Sequence, residues 1–533
     1  MNISRRDFLY TATAAGAIGL VRLDAQQSDS SRTVFLHGVA SGDPLADRVI
    51  LWTRVTAAER STPQVSWEMA REPDFRQVVA TGAVATGAAR DFTVKVDAGP
   101  LEPATTYYYR FAAMGERSPV GRTRTLPVSA VSRVRLAVAS CSNLPFGYFN
   151  AYRRIAERPD LDAVLHLGDY IYEYANARYG DGTPLGRIPE PDREIVSLAD
   201  YRMRHAQYKR DLDLQEVHRQ HPFITVWDDH EFANNTWRDG AENHNPDAGE
   251  GDWSARGRAA AQAYREWMPI RDDRSTRRVR IYRSFSFGDL VDLVMLDTRF
   301  LDRDQQARAR DAIAMLDDDK RTLLGSAQEQ WVCEELQAAS RAGVLWQLLG
   351  QQVMFAPGSL PGAPSVSTDT WDGYRPARER LFDAIESTKL KNVVVLTGDV
   401  HSSWGYNVPR NPWAGYHAET GAGTVAVEFV TPAITSPSGF GAPEQAAERV
   451  KTLHAQRPHL KYVDGLYRGY LVVDVTRERV QADWFGVPTI TEKNGSEQFM
   501  KGLLSVAGEP RLLPASAPAP SSTSGAALAP RID

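Results

Sequence analysis

Short apolar runs in this 533-residue chain end repeatedly in the residue types that bind cations. Val134–Ala139 is followed by Ser140-Cys141-Ser142-Asn143, and Ala163–Leu167 by Asp169, Tyr170, Tyr172 and Glu173. Phe223–Trp227 leads into Asp228-Asp229-His230-Glu231, with Asn234 and Asn235 close behind. Leu290–Leu296 ends in Asp297-Thr298-Arg299, and Asn392–Thr397 in Gly398-Asp399-Val400-His401-Ser402-Ser403. Carboxylates, an amide carbonyl, imidazole, thiolate and phenolate are all metal ligands. Brought together, Asp169, Asp229 and Asp399 would repel one another strongly in the absence of a cation. Two metals bridged by a carboxylate would relieve that repulsion and make a two-metal hydrolytic site. A thiolate and a phenolate in the set point to a ferric ion rather than to magnesium alone.

For these residues to meet, the runs must be neighbouring strands. Helix-length segments alternate with them: Tyr148–Glu157, Leu198–His218, Ala255–Met268, Ala327–Arg341 and Ala377–Ser387, with a further strand at Trp346–Gly350. Such alternation predicts an α/β layered domain, whose strands present their carboxyl ends at one rim. Ser326 and Glu329 have capping-box spacing at the start of the fourth helix. A late hairpin, Tyr470–Val475 with Val480–Phe485, adds antiparallel strands. The layered domain is expected over residues 133–510. Ahead of it, residues 33–126 hold short β-type runs broken by turn signals, among them Val49–Val55, Val65–Met69, Phe92–Val96 and Thr106–Phe111. These predict a small antiparallel β-sandwich. Residues 511–533, rich in Pro, Ala and Ser, read as a disordered tail. Gly- and Pro-containing loops at Ala175–Leu198 and Pro357–Tyr374 are expected to shape the mouth of the site.

The N-terminus carries Ser4-Arg5-Arg6-Asp7-Phe8-Leu9 followed by an apolar run, Phe8–Val21, of 14 residues, too short to span a bilayer as a helix. Small residues dominate the run. Residues 1–25 therefore read as a twin-arginine signal peptide, cleaved after Ala25, which sends the folded protein to the periplasm or outside the cell. The partner implied is the twin-arginine translocation machinery. No later segment has the character of a membrane span. A net charge of −5, from 62 basic and 67 acidic residues, gives no basic excess for nucleic-acid binding. The two cysteines, Cys141 and Cys333, could pair, stand alone or bind metal. Cys333 reads as core. His37, His166, His205, His218, His221, His454 and His459 have no companion motif and read as structural or surface residues.

The motif set resembles the PhoD-like alkaline phosphatases, a branch of the calcineurin-like metallophosphoesterases. The resemblance runs through the twin-arginine signal, His37-Gly38-Val39-Ala40-Ser41-Gly42-Asp43-Pro44, Val49-Ile50-Leu51-Trp52-Thr53-Arg54-Val55, and each of the strand-end blocks in order. It implies a layered αββα sandwich preceded by an immunoglobulin- or fibronectin-like domain. It implies a site holding iron (Fe3+) and calcium (Ca2+), with Cys141, Asp169, Tyr172 and His401 on the iron and Asp169 bridging to calcium. Asp229, Asn235 and Asp399 are the calcium candidates, with Asn234 an alternative to Asn235. In such a site His230 could protonate the leaving oxygen or bind a phosphate oxygen. Arg299 could clamp the phosphate with its planar fork, or form a buried ion pair. The substrate implied is a phosphate ester, for phosphate scavenging. Monoester and diester preference stay open, as does a phospholipase-D-type activity. An exported binding protein with an inert α/β domain is the reading from another class, and the intact ligand set argues against it.

Overall fold

The computed structural model describes residues 33–272, 280–522 and 525–531. The expected signal peptide, residues 1–25, lies outside them. The first strands are β1 (Val39–Gly42), β2 (Val49–Arg54), β3 (Gln64–Ala70), β4 (Val78–Ala85), β5 (Thr93–Ala98), β6 (Thr106–Ala113), β7 (Glu116–Arg117) and β8 (Gly121–Arg124). Then come β9 (Arg133–Ala139), α1 (Asn150–Ala156), β10 (Ala163–His166), α2 (Leu198–Tyr208), α3 (Leu212–Gln220), β11 (Pro222–Thr225) and α4 (Trp253–Trp267). The middle of the chain forms β12 (Arg283–Phe287), β13 (Val291–Met295), α5 (Ile313–Leu316), α6 (Ser326–Ala342), β14 (Trp346–Gln351), α7 (Arg375–Ser387) and β15 (Val393–Thr397). The last elements are β16 (Ser403–Pro409), β17 (Thr424–Val430), α8 (Pro443–Gln456), β18 (Leu460–Asp464), β19 (Arg468–Thr476), β20 (Arg479–Val487), β21 (Gln498–Val506) and β22 (Glu509–Ala515).

Among the described residues the strands form three sheets. The largest has ten strands in the order β22-β21-β20-β19-β9-β10-β11-β1-β2-β5, and the second seven in the order β12-β13-β14-β15-β17-β16-β18. β9, β10 and β11 are parallel, as are β13, β14, β15 and β17. Side-chain alternation along these strands builds the layers. Leu293, Leu348, Val394 and Phe429 join one core with Leu136, Val138 and Leu165 of the ten-stranded sheet. Their neighbours Val294, Leu349, Val395 and Val430 pack in a second core with Val332 and Leu336 of α6 and Leu381 and Ile385 of α7. Two sheets face to face with helices outside give the expected αββα sandwich.

The N-terminal part is all β, as expected. Val49 and Leu51 of β2 and Val94 of β5 meet Val65 and Met69 of β3 and Tyr107, Tyr109 and Phe111 of β6. One of its sheets is not separate, however. β1 pairs in parallel with β11, Ser41 opposite Pro222, so β1, β2 and β5 extend the ten-stranded sheet, and Val34–Asp533 is one compact unit.

Three local expectations need correction. The single helix at Leu198–His218 is two, α2 and α3, because the Asp211 side chain caps a new start by accepting from the Asp213 and Leu214 N–H groups. Ser326 is the first residue of α6 rather than its cap; Glu329 reaches Thr322 and Arg380 instead, while Thr322 Oγ1 accepts from Gly325 N. The tail from 511 is not disordered through its described residues. Leu512 is buried in β22, and the Pro- and Ala-rich chain beyond it is held by its backbone. Arg133 and Arg135 donate to Pro520 O, Ala519 N to Asp483 Oδ2 (2.7 Å) and Tyr108 Oη to Ala527 O (2.6 Å). Gln220 makes two bonds to the Ala529 backbone, and Arg219 Nη1 donates to Pro530 O. Small side chains supply little burial, but buried arginine, glutamine and tyrosine donors need acceptors. At about 1 kcal/mol net per bond, removing residues 516–533 is expected to lower the thermal midpoint clearly. It should leave turnover intact, because Arg133 and Arg135 lie at the opposite end of β9 from Cys141. Differential scanning calorimetry beside an activity assay checks both halves.

Most of the histidines without a motif are buried, as a structural reading requires. Burial, with help from nearby Lys209, Arg122 and Arg457 respectively, holds His205, His221 and His459 down to about 3. Free histidine titrates near ~6.5, so the unfolded chain binds protons that the folded protein refuses. Their contribution is complete above about pH 6.5 and is lost as pH falls toward 3, at up to ~1.4 kcal/mol per pH unit for each histidine. Thermal midpoints measured across this range should fall steeply on the acid side; a midpoint flat down to pH ~5 would count against the assignment.

Candidate metal centre

The carboxyl ends of β9, β10, β11, β13 and β15 meet, and the sequence-predicted residues meet there. Several of them sit in left-handed backbone conformations: Cys141 (φ 61°), Asp169 (φ 54°), Asn235 (φ 51°), Asp399 (φ 58°) and His401 (φ 58°). Non-glycine residues adopt this region at a cost, so surrounding structure must hold them. Glu231 supplies much of that hold. Its buried carboxylate accepts from Asp228 N (2.7 Å), Tyr170 N (2.6 Å) and Asp169 N (3.0 Å), tying the ends of β10 and β11 together. Burial, then the Asp169 charge, pushes its carboxyl up to about 8 against those N–H groups. Gly168 between them must lack a side chain, since a Cβ there would lie 2.3 Å from Asp228 Cβ.

Donor atoms of Cys141, Asp169 and His401 lie within 4.8 Å of one another. Tyr172 joins this group: its hydroxyl donates to Asp169 Oδ2 at 2.8 Å and lies 3.3 Å from His401 Nε2. Burial and the neighbouring carboxylate push both the Cys141 thiol and the Tyr172 phenol well up. They can act as anions only opposite a cation. Asp169 is shared with a second group, Asp169, Asp229 and His230, and Asp229 with a third, Asp228, Asp229 and Asp399. Burial works against the Asp169 carboxylate, but His230 and His401 outweigh it and hold it well below the usual range. Burial and mutual repulsion push Asp228 and Asp229 up, and Asp399 to about 6, against the pull of Arg299. Asp228 Oδ2 and Asp229 Oδ1 are buried acceptors with no hydrogen-bond partner. A mixed thiol, phenol, imidazole and carboxylate set beside orphaned carboxylate oxygens fits a centre of more than one cation.

Asn235 stands at this centre through its backbone: its N–H donates to Asp229 Oδ2 at 2.6 Å, while its side-chain amide turns to Glu242. Asn234 also donates its amide to Glu242 (3.1 Å), and its N–H to Glu173 (2.7 Å). His230 offers Nδ1 to Glu173 Oε2 at 2.7 Å. Its ring lies 4.2 Å from Tyr172 and stacks with Tyr179 at 6.2 Å, centroid to centroid. Burial opposes protonation of His230, and the Glu173, Asp229 and Asp169 charges overcome it, raising its pKa well above the ordinary value. Arg299, expected as a phosphate clamp, takes its alternative course. It is wholly buried, with Nε on Asp228, Nη1 on both oxygens of Asp369 (2.8 and 2.9 Å) and Nη2 on Asp399 (2.6 Å). Asp229 stands 3.6 Å away. Both cysteines are free, and Cys333 is half-buried against the outer core.

Sequence reasoning missed several neighbours. Glu173 and Glu231 stood inside the quoted blocks without a role. Ser436, whose hydroxyl lies 2.7 Å from Tyr172 Oη and 3.0 Å from Cys141 O, follows β17, a strand absent from the expected set, so its polar end went unread. Asp369 comes from the 357–374 loop, which no local pattern ties to a strand end. That loop and the one holding Tyr179 do reach the centre, Tyr179 Oη lying 3.4 Å from His401 Nδ1.

The family of PhoD-like phosphatases matches residues 136–484, and the N-terminal domain of the same phosphatases matches residues 22–127. The chain belongs to the PhoD-like phosphatase family. As a member it is a phosphoric ester hydrolase. It is 38% identical over 498 residues to alkaline phosphatase D of Bacillus subtilis (strain 168), covering 90% of this chain and 82% of that protein. The solved structure of PhoD superposes with a TM-score of 0.83 at 36% identity, over 93% of this chain and 94% of the other. Among the described residues no helix is long and apolar enough to cross a membrane.

Proposed function

We propose that this PhoD-like phosphatase is an exported alkaline phosphatase and phosphodiesterase that hydrolyses phosphate esters at an iron–calcium centre, releasing phosphate for the cell. The observation that carries the reading is the chain of overlapping donor groups linked through Asp169 and Asp229. In this proposal Cys141, Asp169, Tyr172 and His401 would hold Fe3+, and Asp229 and Asp399 would hold Ca2+ together with the side-chain carbonyl oxygen of Asn235, the atom its amide bond to Glu242 does not use, Asp169 serving both groups. Bound there, the cations would neutralise the carboxylates and the ester's own charge and supply Lewis acidity for in-line displacement at phosphorus. His230, held through Nδ1 by Glu173, has Nε2 left to give a proton to the leaving oxygen as the P–O bond breaks. Arg299 keeps Asp228, Asp369 and Asp399 in place rather than touching the ester. Export rests on Arg5-Arg6 and the apolar run behind them, with the twin-arginine machinery as partner. The likeness to alkaline phosphatase D supports activity at alkaline pH.

Elemental analysis of protein purified through its own export route is the test, beside hydrolysis of a generic phosphomonoester and a phosphodiester. About one iron and one or two calciums per chain are expected. A visible absorption band from the thiolate and phenolate ligands is expected too, with activity lost to a calcium chelator. The ratio of the two hydrolyses assigns ester preference, a phospholipase-D-type enzyme favouring the diester. A protein without stoichiometric metal would sink the iron–calcium assignment.

A further inference from the structure

The carboxylates of the centre occupy the arginines nearest them. Arg299 is committed to Asp228, Asp369 and Asp399, and Arg303 to Asp369, Thr298 O and Tyr374 Oη. Beside the cations and His230, a guanidinium not committed to these carboxylates could also bind a substrate phosphate. Another arginine stands at the same rim. β19 runs antiparallel to β9 as far as Leu471 opposite Val138, and beyond that pair the loop after β17 lies between the two chains and links the start of β19 to the Cys141 turn. The position is pinned. Gly469 N donates to Ala433 O (2.9 Å), and the next residues of that loop bind the Cys141 turn, Ile434 N to Ser140 O (2.9 Å) and Thr435 N to Cys141 O (3.3 Å). A side chain on Gly469 is excluded, since its Cβ would lie 1.9 Å from Phe485 O.

The Arg468 side chain is half-buried and has little of its own to bind. Nη1 donates to Leu466 O at 3.3 Å, and Nε is buried with no partner. Asp464, the nearby carboxylate, is taken up by the N–H groups of Leu466 and Tyr467, both at 3.1 Å. Burial pushes the guanidinium down, and the charges of Tyr179, whose hydroxyl lies 3.4 Å from His401 Nδ1, and of Asp464 push it up. A buried donor without a partner is costly unless a ligand satisfies it. A guanidinium matches the oxygens of a phosphoryl group through paired charge-assisted hydrogen bonds.

We propose that Arg468 is a substrate-binding residue that grips the non-bridging oxygens of the phosphate ester at the His401 side of the centre, the part the sequence pointed to Arg299 for. The inference rests on the phosphate-ester reading of the site. Arg468→Gln should raise KM for a phosphomonoester by about 10- to 100-fold and weaken inhibition by inorganic phosphate by the same factor. Arg468→Lys keeps the charge but not the fork, and should fall between. Both should keep the iron and calcium content, and Arg468→Lys the thermal midpoint; if Arg468→Gln fails to fold, Arg468→Lys decides alone. KM and phosphate inhibition within about two-fold of the parent in Arg468→Lys and in folded Arg468→Gln would overturn the assignment. If the parent hydrolyses no phosphate ester, the proposed function fails instead. Calorimetry with inorganic phosphate then tests Arg468, its affinity loss in Arg468→Gln supporting the site and its indifference refuting it.

Discussion

Asp169→Asn is expected to remove turnover by at least on the order of 1,000-fold and to release metal with it. The carboxylate belongs to two donor groups at once, with Cys141 and His401 on one side and with Asp229 and His230 on the other. It also accepts from Tyr172 Oη at 2.8 Å. An amide of the same size keeps the packing but offers one neutral oxygen where two charged ones are needed, so both cation positions weaken together. The backbone at Asp169 is secured independently by Glu231, so the thermal midpoint of the protein stripped of metal should change little. Elemental analysis, kcat and that midpoint separate the cases. A variant that kept both metals and most of its turnover would show that Asp169 does not link the two groups.

Arg299→Gln is expected to be the most destabilising single change at the site, by about 3–5 kcal/mol. The side chain is fully buried, and three carboxylates make direct hydrogen bonds to it while a fourth stands at 3.6 Å. Removing a whole buried ion array can be nearly neutral, but removing its one shared cation leaves the carboxylates facing one another. Asp369 retains Arg303, so Asp228 and Asp399 carry most of the loss. Adding Asp228→Asn to Arg299→Gln should recover part of the stability, a coupling that a double-mutant cycle in denaturant measures. A denaturation midpoint indifferent to Arg299→Gln would mean that water or cations already balance the array.

The parts of this centre that lie at strand ends were legible without a structure. Cys141, Asp169, Asp229, Asp399 and His401 each follow an apolar run of strand length. Parallel strands in one layer must present such ends together. Glu173 and Glu231 were in view but mute, because a carboxylate type does not reveal whether it will bind a cation, a histidine or a row of backbone N–H groups. The tail misled for a related reason. Its Pro, Ala and Ser residues carry no burial signal, and the donors that hold it, Arg135, Gln220 and Tyr108, lie hundreds of residues away.

The sequence by itself determined the family, the layered α/β class and the principal candidate ligands, because these depend on local periodicity and on residue chemistry at fixed offsets from each strand. Tertiary structure alone decided the partners. Arg299 was equally suited to phosphate or to carboxylate, and only the arrival of Asp228, Asp369 and Asp399 from three separate loops decided for carboxylate. The junction of β1 with β11 and the break between α2 and α3 at Asp211 arise in the same way. Each depends on which distant backbone or charge comes within a few ångströms, and sequence spacing carries no measure of that distance.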